Sequence, residues 1–172
     1  MKPYNKILIL LSIWVLPVQN AFGQTDQVRW ISFEELEVSL SIVRHRLADG
    51  ETRKRKPVFI NFYTDWCVYC KKMDRVVFNK ADVIKLLNDK YYAVKFNAES
   101  RLEIQFSGHV LGNDQVGKSR KPLHQITQLL ALRDGEFVAP TMLILNEDFE
   151  VEARYFEFLD EDELLEVLKN YD

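Results

Sequence analysis

The sequence predicts an α/β fold, one central mixed sheet with helices on both faces. Three observations carry this. Val58-Phe59-Ile60-Asn61-Phe62-Tyr63 is a near-continuous apolar run, the pattern of a strand covered on both sides. Segments of helical spacing alternate with short strand-like segments through most of the chain. The last two strand candidates are separated only by residues 146–149, with a turn at Asn146-Glu147-Asp148, so a closing hairpin joins a sheet that is otherwise parallel.

The elements follow in order. Val28 to Ile31 is a short strand candidate. Ser32 with Glu35 forms a capping box, and Phe33, Leu36, Leu40, Val43 and Leu47 recur at helical spacing until Asp49-Gly50. The charged stretch Glu51 to Lys56 reads as a solvated loop before the strand at 58–63. Helix is expected from Val68 to about Phe78, a second short helix from Asp82 to Leu87, and a strand from Tyr91 to Phe96. From Asn97 to Lys121 the pattern dissolves into glycine, serine, asparagine and charged residues. Leu123 to Leu132 reads as helix with Ile126, Leu129 and Leu130 on one face, followed by a turn at Asp134-Gly135. Strands are expected at Thr141 to Leu145 and Glu150 to Phe156. Asp160 then caps a last helix, with Glu161, Asp162 and Glu163 favoured in its first turn by the macrodipole and Leu164, Leu165 and Leu168 on its buried face.

A length of 172 residues, 47% of them apolar, suffices for one domain with its own core. A net charge of -3 supplies no basic footprint for nucleic acid. Residues 1–23 stand apart. Lys2 and Lys6 precede the apolar stretch Ile7 to Val18, and Ala21-Phe22-Gly23 offers small residues at a cleavage site. This is the pattern of a signal peptide, with Gln24 as mature start and residues 24–172 as the exported domain. Its removal takes away two lysines and no acids, moving the charge to -5. The alternative is an uncleaved anchor, although the stretch falls short of the roughly 20 residues that span a bilayer. The expected location is periplasmic or secreted.

The only two cysteines are Cys67 and Cys70, spaced C-x-x-C at the junction of the strand and the following helix. Export to a compartment where disulfides persist would favour stapling, but no second pair exists, and a bridge over so short a loop removes little entropy from the unfolded chain. The pair therefore reads as reactive. Unpaired N–H groups and the positive end of the dipole lower a thiol at a helix start to roughly pH 3.5–7.5. Cys70 lies one turn on, able to resolve a mixed disulfide made by an exposed Cys67. Trp66 would shield one side, and Asp65 is expected at the surface. Half of a zinc site is the competing reading, but His45, His109 and His124 show no paired spacing, so no metal is expected. His109 and His124 read as structural or exposed.

The segment FINFYTDWCVYCKKMD resembles the active-site segment of the thioredoxin superfamily, and most of all the C-terminal domain of the DsbD-type disulfide-reducing transporters. The resemblance covers most of residues 28–171. It implies a thioredoxin-like fold with Cys67 as nucleophile and Cys70 as resolving thiol. It also implies that Pro140 is the cis-proline facing the disulfide and that Ala139 offers its backbone to an extended substrate, with Trp66 beside it. Two departures stand out. Asn61 occupies the place of a buried acid that assists the second thiol, leaving Lys95, the matching lysine, either to lower the Cys70 thiol directly or to be solvated. The stretch from Lys95 to Pro140 is longer than that of a compact relative, so 100–122 is a long insertion before the cis-proline strand, either flanking the site or docking a partner.

The resulting expectation is an exported thiol–disulfide oxidoreductase that reduces protein disulfides. It would need no cofactor beyond its own cysteines, act as a monomer and draw electrons from a membrane donor. A disulfide oxidase or isomerase with the same site, and a redox-switched binding module, are the alternatives.

Overall fold

The computed structural model describes residues 26–49 and 55–171. The signal-peptide reading, the mature start at Gln24, Gly50 and most of the loop 51–56 lie outside the described residues.

The elements, in chain order, are α1 (Phe33–Ala48), β1 (Val58–Tyr63), α2 (Val68–Val76), α3 (Ala81–Lys90), β2 (Tyr92–Asn97), β3 (Ile104–Phe106), β4 (His109–Leu111), α4 (Gln125–Leu130), β5 (Leu132–Arg133), β6 (Glu136–Phe137), β7 (Thr141–Leu145), β8 (Val151–Tyr155) and α5 (Glu161–Asn170). The main sheet runs β2-β1-β7-β8. β1 is parallel to β2 and antiparallel to β7, and β7 is antiparallel to β8, giving the expected mixed sheet with a closing hairpin.

Val58 to Phe62 are all buried, as a strand covered on both faces requires. Alternate side chains serve two cores. Phe59, with Ala93, Met142 and Ile144, packs against Met73 of α2, Leu87 of α3, and Leu164 and Leu168 of α5. Val58, Ile60 and Phe62, with Val94, Leu143 and Leu145, pack against Phe33, Leu36 and Leu40 of α1 and Ile126 of α4. Both capping boxes form, Ser32 with Glu35 and Asp160 with Glu163.

Three expectations change. Val28 to Ile31 is not a full strand: Ile31 alone makes a parallel bridge, to Val94, at the sheet edge. The helix expected at Leu123 to Leu132 is only Gln125–Leu130, because Leu132–Arg133 leaves it to pair with Glu136–Phe137. Leu129 is exposed rather than sharing the buried face of Ile126. The Asp134-Gly135 turn is real and tight, with positive φ at both residues, the geometry a two-residue hairpin takes.

The segment 100–122, expected as an insertion, is built rather than loose. Its β3–β4 hairpin turns at Ser107-Gly108 and packs Phe106 on Phe33 of α1 at 5.2 Å between ring centroids, while the Ser107 N–H donates to Glu37. Side chains hold the rest. Asn113 Nδ2 donates to the Ser100 and Pro122 carbonyls at 2.9 and 2.8 Å, closing the segment's two ends together. Gly112 and Gln125 exchange two bonds, of 2.7 and 2.8 Å. The fully buried His124 caps α4 by accepting the Ile126 N–H at Nδ1, 3.1 Å, and its Nε2 bonds the Leu102 carbonyl at 2.9 Å.

Candidate active site

β1 ends at Tyr63, and a turn closed by the Cys67 N–H to the Thr64 carbonyl, 3.1 Å, delivers the chain into α2. Cys67 is the N-cap of α2. Its Sγ accepts the N–H of Cys70 at 3.0 Å, so the sulfur takes the position a serine or aspartate oxygen holds at other helix starts. The same sulfur is bonded to Cys70, closing a disulfide. A thiolate released at Cys67 would face this N–H and the helix terminus, both of which favour negative charge.

The exposure differs from the sequence expectation. Cys67 and Cys70 are only 3% and 4% exposed, while Trp66, Val68 and Tyr69 are 53%, 73% and 59% exposed. Cys67 sits at the helix end in its closed bridge, and the exposed Trp66, Val68 and Tyr69 form an apolar ridge beside it. Asp65 is at the surface, as expected.

The Ala139–Pro140 bond is cis, Pro140 is buried, and β7 begins at Thr141. Thr141 Oγ1 donates to the Val138 carbonyl at 2.5 Å, fixing the turn that enters the strand. Trp66 is pinned as well, its Nε1 donating to both Glu99 carboxylate oxygens at 3.1 and 3.2 Å.

Asn61 is 2% exposed on the α2-facing side of β1, and its Oδ1 has no hydrogen-bond partner among the described residues. In the sheet it stands opposite Lys95. Lys95 is not left to solvent. Its Nζ is 2.6 Å from Asp74 Oδ1 and sits over the rings of Tyr63 and Trp30, 5.1 and 5.7 Å from their centroids. Asp74 lies four residues beyond Cys70 and hence on the same face of α2. The acid that pairs with Lys95 is therefore on the helix, while the facing strand position carries Asn61. Sequence reasoning missed Asp74, whose signal was its i,i+4 spacing from Cys70. Burial, with Asp65 and Asp74 adding to it, pushes the Tyr63 phenol up from its ordinary value.

His109 is exposed, and His124 serves the insertion. No cluster of three or more His, Cys, Asp or Glu side chains poised for a metal occurs among the described residues, and no helix among them is long and apolar enough to cross a membrane.

A family model described as thioredoxin-like matches residues 46–122, which include the cysteine pair. The thiol:disulfide interchange protein DsbD of Vibrio cholerae is 35% identical over 74 residues, 43% of this chain and 11% of the relative, so the chain spans only a small part of that protein. Among solved structures, the oxidised C-terminal domain of Neisseria meningitidis DsbD superposes with a TM-score of 0.50 at 17% identity, covering 83% of this chain and 98% of that one. A thioredoxin from Thermus thermophilus gives 0.53 at 18%, covering 84% and 86%. At such identities these two likenesses speak to the fold.

Proposed function

We propose that this thioredoxin-like protein, which carries the C-x-x-C pair of the thiol–disulfide oxidoreductases, is an exported reductant of protein disulfides. The observation that carries the reading is the Cys67 sulfur at the mouth of α2, within 3.0 Å of a backbone N–H and one turn from its partner thiol. In the reduced form the Cys67 thiolate attacks one sulfur of a substrate disulfide. That S–S bond breaks, its other sulfur leaves as a thiolate and takes up a proton, and a mixed disulfide joins Cys67 to the substrate. Cys70 loses its proton and attacks Cys67. The second substrate thiol leaves, and the protein is left with the Cys67–Cys70 bridge. Two electrons pass to the substrate, and a membrane donor in the periplasm or its equivalent restores the dithiol. The pair is itself the redox centre, so the cycle needs no bound cofactor.

The other residues take supporting roles. Ala139 and Pro140 receive the extended substrate backbone, and Trp66 walls the site. Because Cys67 is covered, substrate entry displaces part of the Trp66–Tyr69 ridge. Asp74, held by Lys95, is the acid on the Cys70 face of α2 and stands in for the carboxyl that Asn61 lacks. Asp74→Asn therefore slows release of the mixed disulfide more than its formation. An equal effect on both steps, or none, removes Asp74 from this role.

Equilibration of the full-length mature protein with glutathione buffers tests the direction. A reductant comes to equilibrium nearer the thioredoxin value of about -270 mV than the oxidant value of about -120 mV. A potential at the upper end assigns the same residues to an oxidase.

A further inference from the structure

Two lysines are seated on aromatic rings linked to the chain neighbours of the disulfide cysteines. Lys121, near the end of the insertion, places its Nζ 5.3 Å from the centroid of Trp66. Lys72, on α2, places its Nζ 4.4 Å from the centroid of Phe158, and Phe158 meets Tyr69 at 6.2 Å. Trp66 adjoins Cys67 in the chain, and Tyr69 adjoins Cys70. Lys121 is thus anchored on the chain neighbour of Cys67, and Lys72 on a ring that meets the chain neighbour of Cys70.

We propose that Lys72 and Lys121 select protein partners whose reactive disulfide is flanked by carboxylates. The inference rests on the exchange reading above and adds to it the kind of substrate.

The use of the other charges supports it. Lys80, Lys85 and Lys95 are ion-paired, with Glu161, Asp89 and Asp74 at 3.0, 2.6 and 2.6 Å. Lys72 and Lys121 are exposed and have no ion pair among the described residues. A ring face attracts an ammonium without neutralising it, so the charge is positioned while its N–H donors remain available. The neighbouring acids are mostly committed. Glu99 holds the Trp66 indole, Asp74 holds Lys95, and Asp160 caps α5 by accepting the Glu163 N–H at 3.0 Å. Asp65, exposed beside Trp66, and Glu157, exposed beside Phe158, are the acids that oppose the two lysines, and Lys71, exposed on α2, adds to them.

The surface this makes is apolar at its centre, through Trp66, Val68 and Tyr69, and cationic at two points on its rim. Apolar centres with charged rims are the usual division of labour at protein interfaces, the rim supplying orientation and encounter rate. The chain as a whole is acidic, with a net charge of -3. An acidic partner is therefore repelled by the average surface and drawn to this edge, which orients its disulfide toward Cys67.

The insertion consequently has a function its sequence does not announce. Its hairpin lies on α1, while its end reaches the active site through Lys121.

The test uses three synthetic peptides containing the same disulfide, flanked by two glutamates, two serines or two lysines. Full-length protein is kept reduced with dithiothreitol, and kcat/KM is measured at low and high sodium chloride, with the uncatalysed rate subtracted. The glutamate peptide is expected to exceed the lysine peptide by about tenfold at low salt, with the ratio shrinking as salt screens the charges. K72E/K121E is expected to invert the order, and K72Q/K121Q, which leaves both surface positions polar, to flatten it. Equal rates for the three peptides, or an order unchanged in both variants, overturn the proposal while leaving disulfide exchange intact. Failure to reduce even the serine peptide overturns both.

Discussion

The β1–α2 segment and the insertion both border the disulfide, and they are held by different forces. The first is secured by burial. Its side chains fill the core from Phe59 to Met73, and its helix begins at a sulfur already capped by a backbone N–H. The second is secured by single polar side chains that tie distant carbonyls together, Asn113 and His124 foremost. Burial spreads stabilisation over many contacts and gives a rigid base for chemistry. Polar ties localise it, so an arm of this kind can be altered without unmaking the site.

The largest expected break is on the buried side. Met73 is 0% exposed beneath α2, and Met73→Ala removes its contacts and leaves a cavity, costing about 2–5 kcal/mol in a denaturant titration. The accompanying shift of α2 also alters the reactivity of Cys67, which pairs the stability loss with slower exchange.

On the polar side, His124→Ala removes the cap of α4 and the bond to Leu102 together and leaves buried groups unpaired. The expected cost is about 1–3 kcal/mol. Hydrogen exchange separates this variant from the first, because amides near 102–126 lose protection while those of β1 keep theirs. Loss of protection spread equally over both regions would contradict the division. Asn113→Ala is a smaller version of the same experiment, about 1–2 kcal/mol, confined to the junction of Ser100 and Pro122.

The smallest effect is a pH dependence. Burial lowers the pKa of His124 below its ordinary 6.5, and the neutral ring is the form whose Nδ1 accepts the Ile126 N–H. Above about pH 6.5 neither folded nor unfolded chain binds this proton, and the group contributes nothing to the slope. Below it the unfolded chain takes the proton first. Stability therefore falls with falling pH until the lower folded pKa is reached. The slope of unfolding free energy between pH 7 and 5, compared in wild type and His124→Asn, measures this. Identical slopes would remove His124 as its source.

The same division decides what the sequence disclosed. The apolar run at 58–62, the C-x-x-C spacing, the Ser32–Glu35 capping box and the Asp160 cap are local patterns, and each corresponds to an element seen in the structure. So is Thr141 to Leu145, which forms the strand as read. The insertion was legible only as an interruption, since Asn113 and His124 act through bonds to residues 13 and 22 positions away that no periodicity encodes. Leu129 shows the limit of spacing alone: the inward side of its helix is set by Ile126 and Thr127, and Leu129 falls outside it. At the site, Asn61 stood out in the sequence, but the Lys95–Asp74 ion pair depends on the β1–β2 register placing Lys95 where α2 can reach it. Burial of both cysteines was likewise invisible, because exposure follows from tertiary packing that the C-x-x-C spacing does not encode.

The most direct test compares two single-cysteine variants, Cys70→Ala and Cys67→Ala, each mixed with an activated disulfide probe near pH 6, where an ordinary thiol is almost wholly protonated. With Cys70 removed, Cys67 should form the mixed disulfide at least tenfold faster than Cys70 does when Cys67 is removed. Equal rates, or faster capture by Cys70, would contradict the assignment of the helix-end sulfur as the attacking group.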